Sequence, residues 1–341
     1  MTQFVNLCFE GGGVKGIAYA GALKVLEERG VIPDIRRVAG TSAGAISAAL
    51  VALGADWEDV KDIVGGTNFR KFMDDSWGNL RDIARLVKEY GWFKGDAFSA
   101  WMKKQVGGLV GNKNLTFKDL KEMAATDPAK YKELTVIGTN LTLQVPETYN
   151  AESTPDMRIW ESVRISMSIP FFFASAEYED DDVLVDGGVT WNYPLDIFDR
   201  RIYLSDSGNT DTFTVVKYPT HKWDDHIYNK ETLGLRVDTK DEIAALKLRQ
   251  RMPPVEIDNI AKYIKSLIGF MNDMANKAHL HKNDWQRTVF IDALGVGTTD
   301  FDLDSETVNA LVKSGEDNAN AYFKWLDNAS PDEALNKITG G

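Results

Sequence analysis

Short apolar runs alternate with helical patterns over the first 140 residues of the chain. The run Phe4–Phe9 ends in three glycines, and the segment after it repeats apolar residues every three or four positions as far as Gly30. This pattern predicts a strand followed by a helix. A second short strand is predicted over 35–39 and an alanine-rich helix over 45–53. The β-α-β-α order predicts a three-layer α/β fold with a central, mostly parallel sheet flanked by helices.

Further strand patterns follow a long helical region. They predict strands over 134–141, 183–185, 201–204 and 213–218. The last hundred residues are predicted to be a helical C-terminal extension, and their clearest helix spans 255–282. An apolar stripe along this helix predicts a buried face, the alternative being a membrane or partner helix. The stripe consists of Ile257, Ile260, Ile264, Leu267, Met271, Met274 and Ala278.

Large aromatic residues are concentrated in the segment 65–126. They predict helices packed on the edge of the sheet, the alternative being a lid or a wall for an acyl chain. These residues are Phe69, Phe72, Trp77, Trp92, Phe93, Phe98, Trp101 and Phe117.

Composition narrows the class of protein. With 341 residues, 43% of them hydrophobic and 26% charged, the chain has the balance of a globular protein. The net charge of −12 disfavours nucleic acid and anionic lipid as partners, so contact with a membrane would need apolar groups or local basic patches. The single cysteine, Cys8, cannot form an intrachain disulfide. No secretory signal pattern or run of about 18 apolar residues is found, so we expect a cytoplasmic protein, peripheral on membranes if it contacts them.

The segment Gly40-Thr41-Ser42-Ala43-Gly44 matches the G-x-S-x-G pattern where a strand ends and a helix begins. In this context the pattern predicts a nucleophile elbow, a tight turn that projects the serine hydroxyl above the sheet. The positive end of the following helix favours the charge that develops on Ser42 during attack. The alternative is a structural helix cap.

A glycine-rich loop, Gly11-Gly12-Gly13-Val14-Lys15-Gly16, follows the first predicted strand and opens a helix. Consecutive glycines allow backbone N–H groups to converge on one point, which favours an anion. The loop therefore predicts an oxyanion hole for an acyl-transfer intermediate. A purely structural turn is the alternative.

The same loop also matches the dinucleotide pattern G-x-G-x-x-G. That interpretation needs an acidic residue at the end of the second strand, but this strand leads into the serine elbow and Asp34 lies at its other end. A phosphate loop for magnesium nucleotides would need Ser or Thr directly after Lys15, where Gly16 stands. A nucleotide-binding module remains as an alternative function.

The third motif is Asp186-Gly187-Gly188, directly after the predicted strand 183–185. A carboxylate at the end of a core strand, beside two glycines that allow close backbone approach, has the placement of a catalytic base. A turn aspartate is the alternative. The acidic run 179–182 is interpreted as a solvated hairpin face.

Histidines are few and lie late in the chain. A Ser-Asp-His triad would use Ser42, Asp186 and either His221 or His226. However, α/β-hydrolases place the nucleophile after several strands, and only about one βα unit precedes Ser42 here. A two-residue Ser–Asp site is therefore favoured, with a triad esterase or acyltransferase on small esters as the alternative. The histidines are His221, His226, His279 and His281.

The glycine loop, the serine elbow and the Asp-Gly-Gly turn, in this order and spacing, resemble the patatin-like phospholipase family. The resemblance covers roughly residues 5–205 and implies a modified α/β-hydrolase core there, with 206–341 adding strands and helices packed on this core rather than a separate domain. Further matching segments are Gly91–Asp96, Leu134–Leu141, Ser166–Phe171 and Asn192–Pro194.

The resemblance implies hydrolysis of fatty acyl esters of phospholipids or related lipids, with no metal or cofactor. On this comparison Ser42 is the nucleophile and Asp186 the base of a Ser–Asp dyad, and the amides of the glycine loop form the oxyanion hole. Lys15 occupies the family's basic position. The Asp186 turn ends in Gly-Gly where many members have Gly-Ala. The expected partner is a lipid substrate at a membrane surface, and an acceptor other than water would make the protein an acyltransferase.

Overall fold

The computed structural model describes residues 3–72, 91–177, 182–205, 213–215, 227–248, 254–279, 283–298 and 300–327. The strands are β1 Asn6–Phe9, β2 Arg37–Thr41, β3 Gly91–Phe93, β4 Glu133–Asn140, β5 Val145–Tyr149, β6 Phe171–Phe173, β7 Ala176–Glu177, β8 Val183–Asp186, β9 Phe213–Val215, β10 Ile227–Asn229, β11 Thr232–Asp238 and β12 Thr288–Asp292. The α-helices are α1 Tyr19–Glu28, α2 Ala43–Ala52, α3 Trp57–Val60, α4 Asp96–Val110, α5 Phe117–Thr126, α6 Ile159–Ser166, α7 Lys240–Leu248, α8 Ile260–His279 and α9 Ser305–Leu326. Short 3₁₀ turns cover Gly13–Ala18, Ile32–Asp34, Phe69–Phe72, Gly187–Val189, Leu195–Phe198, Arg201–Tyr203 and Asp284–Arg287, and a π turn covers Lys61–Gly65.

The central sheet has the order β12-β11-β1-β2-β4-β8-β7, and β5 also pairs with β4. The five strands from β12 to β4 are parallel to their neighbours. Strands β5, β7 and β8 pair in antiparallel fashion. With helices flanking this sheet, the predicted mostly parallel α/β fold is confirmed.

Strands β2 and β8 pair with successive parts of the long strand β4. Strand β2 runs parallel to β4 and its last residue, Thr41, pairs with Ile137. Strand β8 runs antiparallel to β4 and its last residue, Asp186, pairs with Gly138. The carboxyl ends of the two strands therefore meet at adjacent residues of β4.

Two strands from the C-terminal part of the chain complete the sheet. Strand β11 pairs with β1, and β12 pairs with β11. Helix α9 crosses α1 at two glycines, since a Cβ on Gly21 would lie 1.8 Å from the Val312 carbonyl oxygen and one on Gly315 would lie 1.9 Å from the Ala18 carbonyl oxygen. The domain boundary at residue 205 stays a prediction.

The described aromatic side chains of the segment 65–126 pack its helices against the core, as predicted. The rings of Phe72, Phe98 and Trp101 lie with centroids 5.3–5.5 Å apart. Phe98 is buried on α4. Trp77 lies outside the described residues.

Several sequence predictions are wrong. The predicted strand 201–204 is not formed, and Arg201–Tyr203 is a 3₁₀ turn instead, because the Tyr203 N–H donates to the Arg200 carbonyl and the Tyr203 ring packs on Phe198. The second error concerns helix α8, which begins at Ile260 rather than 255.

The apolar stripe predicted to be the buried face of α8 is partly exposed. Ile260 and Met274, both in the stripe, are exposed, whereas Ile268, Ala275 and Asn276 are buried. The helix is thus rotated away from the predicted orientation. A hydrogen bond from Asn276 to Glu10 in the core fixes this rotation.

Candidate active site

Ser42 occupies a sharp turn between β2 and α2. Its φ of 55° and ψ of −129° lie in a region that non-glycine residues rarely adopt, which costs of order 1–3 kcal/mol. A Cβ on Gly40 would lie 2.3 Å from the Gly44 carbonyl oxygen, and one on Gly44 would lie 2.4 Å from the Glu10 carbonyl oxygen. Both glycines of the predicted elbow are therefore required by close backbone contacts.

The structure brings Ser42 and Asp186 together. The Ser42 Oγ donates a hydrogen bond to Asp186 Oδ2 at 2.6 Å, and both side chains are buried. The other carboxyl oxygen, Oδ1, accepts from the Gly188 N–H at 2.7 Å. One carboxyl oxygen is thus fixed by the turn, and the other faces the serine.

Burial raises the pKa of Asp186 from 3.8 to about 7, against the opposing effect of its hydrogen bonds from Ser42 and Gly188. Removing a carboxylate from water disfavours its charged form, whereas hydrogen-bond donors favour it. A carboxyl group with a pKa near neutrality can accept and return a proton at physiological pH.

The glycines that follow Asp186 allow the turn to pack closely. A Cβ on Gly187 would lie 2.4 Å from the Ile137 carbonyl oxygen of β4, and one on Gly188 would lie 2.9 Å from Asn272 Oδ1 of helix α8. The Gly-Gly ending thus fits the Asp186 turn between β4 and α8.

The glycine loop lies beside the serine, but its amides are not equivalent. The Gly11 N–H donates to the Asn192 carbonyl oxygen at 2.9 Å. Within the described residues, the amides of Gly12 and Gly13 donate to no acceptor. Gly13 has a φ of +56°, and a Cβ there would lie 2.0 Å from the Thr298 carbonyl oxygen. Of the three predicted oxyanion donors, two therefore remain available.

Lys15 and Gly16 have supporting positions. Lys15 is buried and its Nζ lies 4.0 Å from Glu242 Oε2, and it does not line the pocket of Ser42. A Cβ on Gly16 would lie 3.4 Å from the Ala43 Cβ, so the loop packs against the first turn of α2. Gly16 thus allows the loop to pack closely against the elbow, and Lys15 contacts α7 instead.

Ser166, at the end of α6, was not predicted as a site residue. Its Oγ accepts the Ser42 backbone N–H at 2.8 Å and donates to the Ile137 carbonyl oxygen of β4 at 2.6 Å. This relay fixes the strained Ser42 backbone to the central sheet. The only sequence signal was its place at the start of the matching segment Ser166–Phe171.

A buried polar network lies behind the glycine loop and was also not predicted. The Glu10 carboxylate accepts from Asn276 Nδ2 of α8 at 2.7 Å and from the Val237 N–H at 3.2 Å. Arg236 lies 3.5 Å from Glu10 and forms a bidentate pair with Asp238. Burial raises the pKa of Glu10, and the Arg236 guanidinium opposes this shift. The network joins β1, β11 and α8 behind the loop.

The serine opens into a pocket with about 410 Å³ of space, counting the part open to solvent. Apolar side chains form much of its wall, and helix α8 contributes one side. The lining residues are Gly11, Gly12, Gly13, Ser42, Ile169, Pro170, Asp186, Val189, Ile268, Met271, Asn272 and Thr298.

Of the four histidines, the structure describes His279. His279 stacks on Trp191 with ring centroids 4.8 Å apart, and its Nδ1 lies 3.6 Å from Asp196 Oδ2. The other histidines, at positions 221, 226 and 281, lie outside the described residues. The triad alternative that used His221 or His226 is therefore left as a prediction.

No helix in the described part of the chain combines the length and apolar character needed to cross a bilayer.

Comparison with known proteins agrees with this fold. The family model for Patatin-like phospholipase matches residues 7–199, more than half of the chain, so the protein belongs to the patatin-like phospholipase family. The chain is 28% identical over 336 residues to "Uncharacterized protein YqhO" of Bacillus subtilis strain 168, covering 94% of this chain and 99% of that protein. It is 26% identical over 230 residues to "Probable lipid hydrolase 463L" of Invertebrate iridescent virus 6, covering 64% of this chain and 74% of the viral protein.

A solved structure shares the fold. The crystal structure of VipD from Legionella pneumophila superposes with a TM-score of 0.54 at 18% sequence identity, over 94% of this chain and 67% of VipD. At this identity the similarity concerns the fold alone.

Proposed function

We propose that the protein is a serine acyl hydrolase that cleaves fatty acyl esters of phospholipids or related lipids through a Ser42–Asp186 dyad. The observation that carries the proposal is the 2.6 Å hydrogen bond from the strained, buried Ser42 hydroxyl to Asp186. An aspartate that has a pKa near 7 and contacts a serine hydroxyl is suited to remove its proton.

In the acylation step, Asp186 accepts the Ser42 proton as Oγ attacks the ester carbonyl carbon. The carbonyl oxygen becomes an oxyanion, which the free amides of Gly12 and Gly13 stabilise. Each such donor is worth about 3–4 kcal/mol in known oxyanion holes. The tetrahedral intermediate then collapses, the ester bond breaks, and the leaving alkoxide takes the proton from Asp186.

The acyl-enzyme is hydrolysed by the reverse sequence. Asp186 takes a proton from water, the resulting hydroxide attacks the acyl carbon, and Ser42 leaves with the proton as the fatty acid is released. The carboxylate thus acts twice as a base and twice as an acid in one turnover.

The substrate class is supported by the pocket and by the family. Ile169, Val189, Ile268 and Met271 give the pocket wall an apolar character suited to an acyl chain. The family is named for phospholipases, and one relative is described as a probable lipid hydrolase.

The test is release of free fatty acid from phosphatidylcholine and lysophosphatidylcholine in mixed micelles. We expect the wild type to release fatty acid, and Ser42→Ala and Asp186→Asn to be reduced by at least 10³-fold while keeping the wild-type circular dichroism spectrum. Full activity of Ser42→Ala would refute the dyad. Hydrolysis of short soluble esters only, with no release from either lipid, would refute the lipid substrate.

A further inference from the structure

Helix α8 has apolar side chains on two opposite faces. Its inner face contributes Ile268 to the wall of the Ser42 pocket. Its outer face carries Ile260, Tyr263, Phe270 and Met274, which are 70%, 52%, 61% and 42% exposed. At about 100° per residue, these four side chains share one arc of about 80°. The outer face is therefore an apolar ridge that the described part of the chain leaves uncovered.

This ridge accounts for much of the exposed apolar surface. Twelve large hydrophobic side chains are exposed in the described part of the chain, and six of them belong to α8 or the segment 255–257 that leads into it. Isolated exposed hydrophobic residues are ordinary, whereas a contiguous apolar patch usually marks an interaction surface.

Two lysines of α8, Lys262 and Lys265, are paired with nearby carboxylates. Lys262 pairs with Asp258 at 2.9 Å and with Glu256 at 3.7 Å, and Lys265 pairs with Asp300 at 3.2 Å. The whole chain carries a net charge of −12. The negatively charged protein would repel a strongly anionic surface. The ridge therefore best fits a partner whose surface has no net charge and whose interior is apolar.

Other exposed apolar residues lie, like the nucleophile, at the carboxyl ends of the parallel strands. Leu141 and Leu143 follow the carboxyl end of β4, and Leu294 follows that of β12. Ser42 follows the carboxyl end of β2, which is parallel to β4. These exposed apolar side chains thus lie on the side of the sheet where the pocket is found between the glycine loop and α8.

We propose that the outer face of α8, formed by Ile260, Tyr263, Phe270 and Met274, docks on a zwitterionic phospholipid surface. Because the inner face of the same helix walls the pocket, docking holds the pocket one helix diameter, roughly 10–12 Å, from the lipid layer. The inference rests on the proposed lipid hydrolase function and adds the surface through which the enzyme reaches its substrate. Apolar insertion, rather than attraction to charged headgroups, provides the binding energy.

The test compares Tyr263→Glu/Phe270→Glu with the control Ile202→Glu. Ile202 is 52% exposed, and its neighbour Tyr203 contacts Arg37 at the amino end of β2, so the control adds a charge at the opposite edge of the sheet. Binding to phosphatidylcholine vesicles is measured by cosedimentation, and activity is measured both on those vesicles and on a soluble short-chain ester. Thermal melts show whether each variant is folded.

We expect the double variant to lose vesicle binding and vesicle hydrolysis by more than tenfold while its kcat/KM on the soluble ester stays within twofold of wild type. The Ile202→Glu control should match the wild type in all three assays. Wild-type binding should not weaken when NaCl is raised from 0.05 to about 0.5 M, since the contact is apolar. Ser42→Ala should bind vesicles as the wild type does.

Unchanged vesicle binding by the double variant would overturn the proposal, as would equal loss with Ile202→Glu. So would a wild-type dimer that the double variant converts to a monomer without any vesicle binding, because a second copy would then cover the ridge. Wild type that binds vesicles but hydrolyses neither substrate would refute the enzyme function and leave the docking surface standing. Wild type that hydrolyses the soluble ester but binds no vesicles would refute the docking surface alone.

Discussion

Thr41 and Asp186 pair with consecutive residues of strand β4, Ile137 and Gly138. Strand β2 approaches this point in parallel and β8 in antiparallel orientation, so their carboxyl ends meet. Ser42 is the next residue after Thr41. The distance between the serine hydroxyl and the Asp186 carboxylate is therefore set by sheet pairing, which is more rigid than a contact between two loops.

Replacement of Asp186 by Asn should abolish most hydrolysis without unfolding the protein. The amide has the shape of the carboxyl group but cannot accept the Ser42 proton, so we expect kcat to fall by about 10³-fold or more. Because the two residues act as one unit, the double variant Ser42→Ala/Asp186→Asn should be no less active than either single variant. The measurement is kcat on a soluble ester; multiplicative losses in the double variant would argue against a dyad.

The same Asp186→Asn variant should alter how stability depends on pH. The folded-state pKa of Asp186, about 7, is above its ordinary value of 3.8, so the unfolded state ionises first as pH rises. The contribution of this carboxyl group to the stability of the fold is fully present below pH 3.8 and is lost as the pH rises toward 7. The Tm of Asp186→Asn relative to wild type should thus increase between about pH 4 and pH 7 and then level off. A constant difference would show that the carboxyl is not buried as described.

Activity should follow ionisation of the same carboxyl. As the base must be deprotonated, we expect kcat/KM on a soluble ester to rise about tenfold per pH unit below 7 and to reach a plateau above it. A pH profile between 4 and 9 checks this. An inflection near pH 4, the ordinary range for aspartate, would contradict the effect of burial on Asp186.

Ser166→Ala should reduce activity because the serine elbow is then held less firmly. The change removes the acceptor of the Ser42 N–H and the donor to Ile137, so we expect kcat to fall roughly 10- to 100-fold with little change in KM. Ser162→Ala is a matched control, since Ser162 is buried on the same helix and, among the described residues, its hydroxyl donates only to the Ile159 carbonyl within that helix. Equal losses in the two variants would assign the effect of Ser166 to general helix stability.

Gly13→Ala should damage the glycine loop. The new Cβ would overlap the Thr298 carbonyl oxygen, and the residue's positive φ disfavours any side chain, so we expect loss of activity on a soluble ester by more than 100-fold. Gly30→Ala separates the two causes, because Gly30 also has a positive φ but has open space around its Cβ. That control should lose about 1 kcal/mol of stability and keep its activity. Full activity of Gly13→Ala would exclude this loop from catalysis.

The sequence was sufficient to predict the elbow, the glycine loop and the Asp186 turn because each depends on local backbone geometry. Gly40 and Gly44 stand where close contacts require glycine, and Asp186 ends a core strand. The predicted strand at 35–39 was displaced by about two residues, since β2 spans Arg37–Thr41. Local pattern thus identified the elements better than their ends.

What the sequence did not reveal depends on long-range pairing. Strand β11 is buried along its whole length although it contains Arg236 and Asp238, and these charges are tolerated because they pair with each other and lie beside Glu10. A strand with charged residues is interpreted as a surface segment when the residues that pair with those charges are unknown. The role of Ser166 likewise depends on contact with Ser42, 124 positions away along the chain.

The orientation of α8 was mispredicted for a related reason. None of the described residues of its predicted stripe is buried, whereas Ile268 and Ala275, which lie outside the stripe, are buried. Periodicity alone does not tell which side of a helix meets the core. The choice is made by Asn276, a polar residue whose hydrogen bond to buried Glu10 turns Phe270 outward.

The central claim is that Ser42 is the nucleophile and that Asp186 activates it. The most direct measurement is the rate and position of covalent labelling by a fluorophosphonate, followed by peptide mapping with mass spectrometry. The account predicts a single adduct on Ser42, absent from Ser42→Ala and formed at least 100-fold more slowly in Asp186→Asn. An adduct on another residue, or labelling of Asp186→Asn at the wild-type rate, would contradict it.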